Sequence, residues 1–198
     1  MKIIKPSATL LEITPKAERL IEQAGRTCYK YEDRITSDSS AQFIHMILKR
    51  GHDSVLEHAS ATIRFVCDRG VSHEMVRHRL ASYSQESTRY CDYAGGVKFI
   101  MPPGVDQNEF SKMATQSENN YKRLRAKGLS PQIARGVLLI SLKTEIVMSA
   151  NFREWRHFLR LRCAKAAHPQ MREVAIIAYD LLQAECPAVF SGIGIYEE

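Results

Sequence analysis

Arg77-His78-Arg79, followed after seven residues by Ser87 and then by Arg89, is the run most suited to chemistry in this 198-residue chain. The stretch reads RHRLASYSQESTRY. Two guanidiniums and an imidazole in consecutive positions repel one another, and packing alone seldom selects them. An anionic or electron-rich ligand would offset that repulsion. The hydroxyl of Ser87 and the forked guanidinium of Arg89 suit phosphate oxygens. The plain alternative is a solvated basic helix end.

Other stretches also gather polar groups. Gly51-His52-Asp53-Ser54-Val55-Leu56-Glu57-His58 sets a glycine helix stop ahead of His, Ser, Glu and His, just before a strand. Its plainer reading is a capped loop with a satisfied histidine. His73-Glu74 ahead of His78 looks like the helical zinc motif H-E-x-x-H, in which histidines four apart lie ~40° apart around the helix. Here they are five apart, roughly 140° around. One regular helix cannot aim both at one ion, and no metal is expected.

The segment NFREWRHFLRLR, residues 151–162, places Asn151, Trp155, Phe158 and Arg162 on one helical face. Arg153, His157 and Arg160 fall on the opposite one. An arginine on a largely apolar face needs an anion or acceptor to offset its desolvation, unless it snorkels to the rim of the core.

A hydrolytic nucleophile finds little support. Ser82, Ser84 and Ser87 are near His78, but no G-x-S-x-G elbow is present. The five cysteines, Cys28, Cys67, Cys91, Cys163 and Cys186, are an odd number, widely spaced and without C-x-x-C. That spacing argues against zinc ribbons, redox dithiols and disulfide frameworks and fits a reducing cytoplasm. Cys67 falls on the apolar face of a strand, and Cys28 and Cys186 fall in apolar helical patterns. Only Cys91 and Cys163 stand near arginines.

The elements that must position these groups show in the periodicity. Thr14-Pro15 reads as a helix cap and first-turn proline, with Ala17, Leu20, Ile21, Ala24 and Cys28 following at helical spacing. A second helix begins near Asp38 and stops at Gly51. Residues 59–68 alternate, with Ala61, Ile63, Phe65 and Cys67 on one face, and form the clearest strand. Ser72 is expected to cap a short helix that delivers Arg77–Arg79 at its end. Residues 97–101 and 142–150 read as strands. Helices are expected over 108–127, with Phe110, Met113, Ala114, Tyr121 and Leu124 on the inner face, from Ser130-Pro131 onward carrying Arg135, over 151–164 and over 169–186.

Composition sets the outer bounds. At 44% hydrophobic the chain can bury a sizeable core, and its length suggests one domain, residues 1–198. No apolar run reaches the ~18 residues of a membrane span. The N-terminus shows no secretion signal, so a cytoplasmic protein is expected. Net charge is +6, carried by 17 Arg and 11 Lys, and the positive charge gathers around residues 77–89 and 153–162 rather than in a tail. Discrete phosphate pockets explain this at least as well as a surface that tracks a duplex. A basic nucleic-acid-binding module is the alternative class, although no RNP motif, zinc finger or basic tail is present. The mixture of helices and strands indicates an α/β or α+β domain.

Taken in order, these segments resemble the flavin-dependent thymidylate synthases. That family's signature is R-H-R, seven residues, then S, here Arg77-His78-Arg79 to Ser87. The G-H-x-S-x-x-E-H segment at 51–58 and the S-Q-x-S-x-R-Y continuation at 84–90 also match. So do A-R-x-x-L at 134–138 and N-x-R…H-F…R at 151–162, and the likeness spans roughly residues 20–190. The resemblance implies a central mixed or antiparallel sheet flanked by helices, and a homotetramer with sites shared between subunits. It implies reductive methylation of dUMP to dTMP, with methylenetetrahydrofolate as carbon donor and FAD, reduced by NADPH, as hydride source.

Carried over residue by residue, the flavin contacts are Ser54, Arg77, His78, Arg79, Gln85, Asn151, Arg153 and His157. The nucleotide contacts are Glu74, Met75, Val76, Arg77, Gln85, Glu86, Ser87, Thr88, Arg89, Arg135 and Arg162. Arg162 matches the arginine that favours ionisation at uracil N3, and no cysteine nucleophile is implied. Leu139 stands where many members have proline, and Gln85 replaces a glutamate found in some. Contacts on both faces of helix 151–162 fit a site between subunits, or require Asn151 and Arg153 to precede the helix.

Overall fold

A computed structural model describes residues 1–193 and 195. Its centre is a four-stranded antiparallel sheet in the order β2-β3-β6-β4, formed by β2 (Ser7–Ile13), β3 (Ser60–Asp68), β4 (Ala81–Gln85) and β6 (Lys143–Asn151). The alternation expected at 59–68 is observed: Ala61, Ile63, Phe65 and Cys67 are buried on one face. Strand β6 presents Thr144, Ile146, Met148 and Ala150 in the same way, because the register pairs Ser60 with Asn151 and Asp68 with Lys143. Among the described residues, parallel pairing is confined to two short strands, β1 (Lys2–Ile4) and β5 (Lys98–Ile100).

Helices α1 (Ala17–Thr27), α2 (Ser39–Lys49), α6 (Phe152–Arg162), α7 (Pro169–Glu185) and α8 (Pro187–Phe190) contribute buried residues to the core built on the sheet. A smaller cluster of Val97, Phe99, Phe110, Ala114 and Leu142 gathers where α4 (Gln107–Ala126) meets β5. Met113, expected to face inward on α4, is 43% exposed. Gly51 takes φ +69° and Gly128 φ +83°, the left-handed conformation that ends a helix without a Cβ penalty. They follow α2 and α4 as the sequence indicates.

Two expected helix starts are corrected. The first helix begins at Ala17, not after Thr14-Pro15, since Lys16 holds φ 50° at the cap position. The Thr14 hydroxyl is engaged instead at the start of β3, where it accepts from the Ser60 amide at 2.9 Å. The short helix α3 runs Arg69–Met75 and is capped by Asp68, whose carboxylate accepts from the Val71 amide at 2.7 Å. Ser72 is inside that helix, donating back to the Arg69 carbonyl. Cys28, expected in an apolar pattern, is exposed.

Helix α6 carries many of the residues singled out in the sequence. Strand β6 passes into it without a loop: Asn151 ends the strand and caps the helix, accepting from the Glu154 amide at 2.9 Å. Trp155, Phe158 and Phe65 form an aromatic cluster with ring centroids 5.5–6.5 Å apart. The indole of Trp155 donates to the Ala61 carbonyl at 3.0 Å. Each such side chain contributes about 1.5–3 kcal/mol of burial, enough to fix which face of α6 meets the sheet. Arg162 therefore arrives half-buried, while Arg153, His157 and Arg160 are exposed. Arg153 lies within the helix, so only Asn151 of that pair precedes it.

Candidate active site

Arg162 is held by three nitrogens. Nε donates to His78 Nε2 at 3.0 Å, Nη1 to the Glu74 carboxylate at 2.9 Å and Nη2 to the Glu74 carbonyl at 3.2 Å. His78 lies just beyond α3 and is 5% exposed. Its Nδ1 is 3.2 Å from the buried carboxylate of Glu154. An arginine Nε can only donate, so His78 Nε2 carries the lone pair and Nδ1 the proton. The Tyr83 hydroxyl, held protonated by burial with its pKa pushed up to about 12, lies 2.7 Å from the Met75 carbonyl and 2.9 Å from that of His78. The turn carrying the imidazole is thereby tied to β4.

Burial, with the adjacent Arg162 guanidinium second, pushes the His78 pKa below its ordinary 6.5, although Glu154 opposes this. The folded protein then binds a proton at His78 less readily than the unfolded chain does. The associated stability is complete above pH 6.5 and is lost as the pH falls through the lowered folded-state value. Thermal melts of ligand-free protein are expected to show Tm declining as the pH drops below 6.5. His78→Gln should flatten that part of the profile; an unaltered slope would assign it to other groups.

His78, Glu154 and His157 bring possible ligand atoms within 4.8 Å of one another. The hydrogen bonding favours a different use. A metal on Nδ1 would put the imidazole proton on Nε2, against the Arg162 Nε–H. His73 is turned elsewhere, lining a cavity with Arg135, so it shares no site with His78.

Two cavities divide the residues singled out in the sequence. One, of about 620 Å³, is lined by Asn151, Arg153 and His157 of the flavin set, with Asp53, Glu57, Glu154, Arg156 and Arg160. Arg153 is paired there with Glu57 at 2.5 Å. Arg156 donates to the Val189 and Ser191 carbonyls, while its buried Nε has no acceptor among the described residues. The other cavity, of about 450 Å³, is lined by Thr88 and Arg135 of the nucleotide set, with Arg69, His73, Gly136, Leu138, Leu139, Ile140 and Leu142. No carboxylate lines it. Arg135 donates to the Thr88 hydroxyl at 2.8 Å, and the buried Nη1 of Arg69 has no acceptor among the described residues. Helix α3 serves both groups, with His73 at the second cavity and Glu74 on Arg162, as neighbours ~100° apart on a helix can be.

The remaining expected contacts differ in how free they are. Ser54, Arg77, Arg79 and Arg89 are exposed, and these arginines have no carboxylate partner among the described residues. Ser87 is half-buried, with its hydroxyl 3.3 Å from the Arg89 amide, and Val76 is 40% exposed. The Gln85 amide is committed, donating to Ser72 and Thr144 hydroxyls at 2.8 and 3.2 Å. Glu86 is occupied by Lys143 and Tyr93, both at 2.8 Å. The Met75 side chain is wholly in the core, which leaves only its backbone for a ligand.

Arg69, His73 and Glu154 carry no contact in the sequence reading. The signal for Arg69 was its place beside the buried strand end Cys67-Asp68. Glu154 fell between the two faces assigned to α6.

The thiols offer no obvious nucleophile. Burial pushes Cys67, Cys163 and Cys186 up to about 12, against the activation a catalytic thiol needs. Cys91→Ala and Cys163→Ala, singly and together, are expected to keep the flavin and a substantial part of the turnover that the resemblance implies. A folded, yellow variant without turnover would return a covalent cysteine mechanism.

Known proteins share this arrangement of chain. The family described as "Thymidylate synthase complementing protein" matches residues 9–188. A flavin-dependent thymidylate synthase of Geobacter sulfurreducens is 33% identical over 93% of this chain and 85% of its own length. One of Corynebacterium glutamicum is 34% identical over 90% of this chain and 80% of its own. Among solved structures, the flavin-dependent thymidylate synthase of Helicobacter pylori complexed with FAD and dUMP superposes with a TM-score of 0.81 at 24% identity, covering 93% of this chain and 98% of that one. A UMP/dUMP methylase of Streptomyces cacaoi bound with 5-Br dUMP gives 0.83 at 24% identity, covering 96% and 95%. At that identity the structures attest the fold.

Proposed function

The chain belongs to the flavin-dependent thymidylate synthase family, and from that premise we propose that it methylates dUMP at uracil carbon 5 to give dTMP. The observation that carries this reading is Arg162, a half-buried guanidinium held on three nitrogens beside a neutral histidine. Such a group is suited to a ring that must become anionic. Uracil turns nucleophilic at carbon 5 as charge builds over N3 and O4, and a fixed donor there stabilises that charge by about 2.7–4 kcal/mol. The carboxylate-free cavity with Arg69, His73, Thr88 and Arg135 suits the nucleotide's 5′-phosphate. Ser87 and Arg89 complete the same group.

FAD fits the residues of the larger cavity. Arg77 and Arg79, which lie outside that lining and have no carboxylate partner among the described residues, suit its pyrophosphate. Asn151 retains its amide N–H donors, and the orphaned Arg156 Nε calls for an acceptor. Ser54, Arg153 and His157 would complete the site, with Gln85 contributing only its carbonyl oxygen and His78, whose two ring nitrogens are engaged by Glu154 and Arg162, only its remaining ring and backbone atoms. When bound, FAD supplies the hydride, with NADPH as reductant and methylenetetrahydrofolate as carbon donor. The chain's own residues bind and orient these groups, and no cysteine is required.

The separation of the nucleotide residues into an Arg162–Glu74 group and an Arg135–Thr88 group supports a site completed by a second subunit. We take residues 1–198 as one domain in a cytoplasmic homotetramer; no described helix is long and apolar enough to cross a membrane. Light scattering is expected to report four subunits of 22.5 kDa, and a monomer that retains FAD would remove the shared-site arrangement. The deciding experiment is the visible spectrum of purified protein, followed by a dTMP assay with dUMP, methylenetetrahydrofolate and NADPH. A yellow protein that forms dTMP is expected. A colourless one with salt-sensitive DNA binding would favour a nucleic-acid-binding module.

A further inference from the structure

We propose that Glu154 is a positioning residue for Arg162, acting through the imidazole of His78. The proposal rests on Arg162 as the group that activates the uracil ring, and adds a residue to which that role assigns nothing.

Glu154 and Arg162 stand eight residues apart on α6, about two turns, with Phe158 between them. The His78 ring packs edge-on against Phe158 at 5.0 Å between centroids. One ring nitrogen meets Glu154 and the other meets Arg162. Glu154 and His78 are 6% and 5% exposed, so water does not substitute freely for either partner. The neutral imidazole has one proton. Arg162 needs Nε2 as an acceptor, and Glu154 meets that need by taking the proton on Nδ1.

Remove the carboxylate and Nδ1–H is buried without an acceptor, which costs about 1–3 kcal/mol. A ring flip or a tautomer exchange would relieve it. Each takes the acceptor away from Arg162 Nε. The backbone stays in place, because Tyr83 holds the His78 carbonyl. The guanidinium would then be oriented by Glu74 alone. A displacement of the order of 1 Å at such a group can cost about 100-fold in rate. The groups facing His78 are Glu154, His157, Phe158 and Arg162 from α6 and Tyr83 from β4.

Glu154→Ala and Glu154→Gln, assayed as FAD-loaded protein, test this. The glutamine carbonyl still accepts from Nδ1. Glu154→Ala removes a carboxylate that also lines the cavity assigned to FAD, so kcat is counted per bound flavin; it is expected to fall by about 10–100-fold, with the KM for dUMP held within about threefold of the unaltered protein. Glu154→Gln is expected to recover most of kcat. Its acid limb should move to lower pH, because the negative charge that favours imidazolium is gone. A merely structural carboxylate would leave that limb in place. The proposal is overturned by Glu154→Ala turning over within about twofold of the unaltered protein, by Glu154→Gln failing as badly as Glu154→Ala, by an unmoved acid limb, or by FAD loss that accounts for the whole fall in turnover. Unaltered protein that forms no dTMP would overturn the functional reading beneath it, a result distinct from these.

Discussion

Arg162→Ala is expected to lose thymidylate formation by about 10²–10³-fold, the scale of removing one donor from a developing anion, while FAD stays bound. The cavity proposed for FAD is lined by Asn151, Arg153 and His157 and does not include Arg162. Arg162 instead makes its contacts with Glu74 and His78. Removing the guanidinium leaves His78 Nε2 without its donor, which disturbs the imidazole, not the core beneath α6. Arg162→Lys should rescue poorly. A single ammonium cannot reproduce a planar group that uses Nε, Nη1 and Nη2 on three different acceptors. The measurement is single-turnover dTMP formation beside the flavin spectrum. Turnover near that of the unaltered protein in Arg162→Ala would remove this residue from the mechanism.

The same side chain shows what the sequence made legible. Trp155 and Phe158 announced the buried face of α6, and Arg162 falls on its edge by spacing alone, so its half-burial was foreseeable. Strand β3 was equally open, because Ala61, Ile63, Phe65 and Cys67 alternate without interruption. Strand β4 was not. Its inward positions are Ala81, Tyr83 and Gln85, none an aliphatic β-former, and it holds its place by pairing with β6. Strand β2 was hidden by adjacent Leu10 and Leu11, where a register shift between Leu10 and Glu12 breaks the two-residue period. Asp68 capped α3 in place of Ser72 because the cap depends on where β3 ends, which no local spacing states. The chain Glu154–His78–Arg162 joins residues 76 and 84 positions apart. Only the packing of α6 against the turn after α3 brings them together.

Arg135→Ala is expected to act on binding, raising the KM for dUMP by about 10–100-fold while kcat stays within a few-fold. A charged hydrogen bond contributes about 1.5–3 kcal/mol, and a phosphate far from the reacting ring is held equally in ground and transition states. Losing such a contact raises KM alone. Arg135 donates to Thr88 in a cavity lined by Arg69 and His73 and by no carboxylate. Salt should therefore compete with the nucleotide there, and the KM of the unaltered protein should rise with ionic strength more steeply than that of Arg135→Ala. Arg135→Lys should recover much of the affinity, since a point charge serves a phosphate adequately. That is the opposite of the outcome expected at position 162, where the planar fork is in use. The pair of lysine variants thus separates charge from shape in one protein. A fall in kcat at unchanged KM in Arg135→Ala would move this arginine from the phosphate to the reacting ring, and the carboxylate-free cavity would need another ligand.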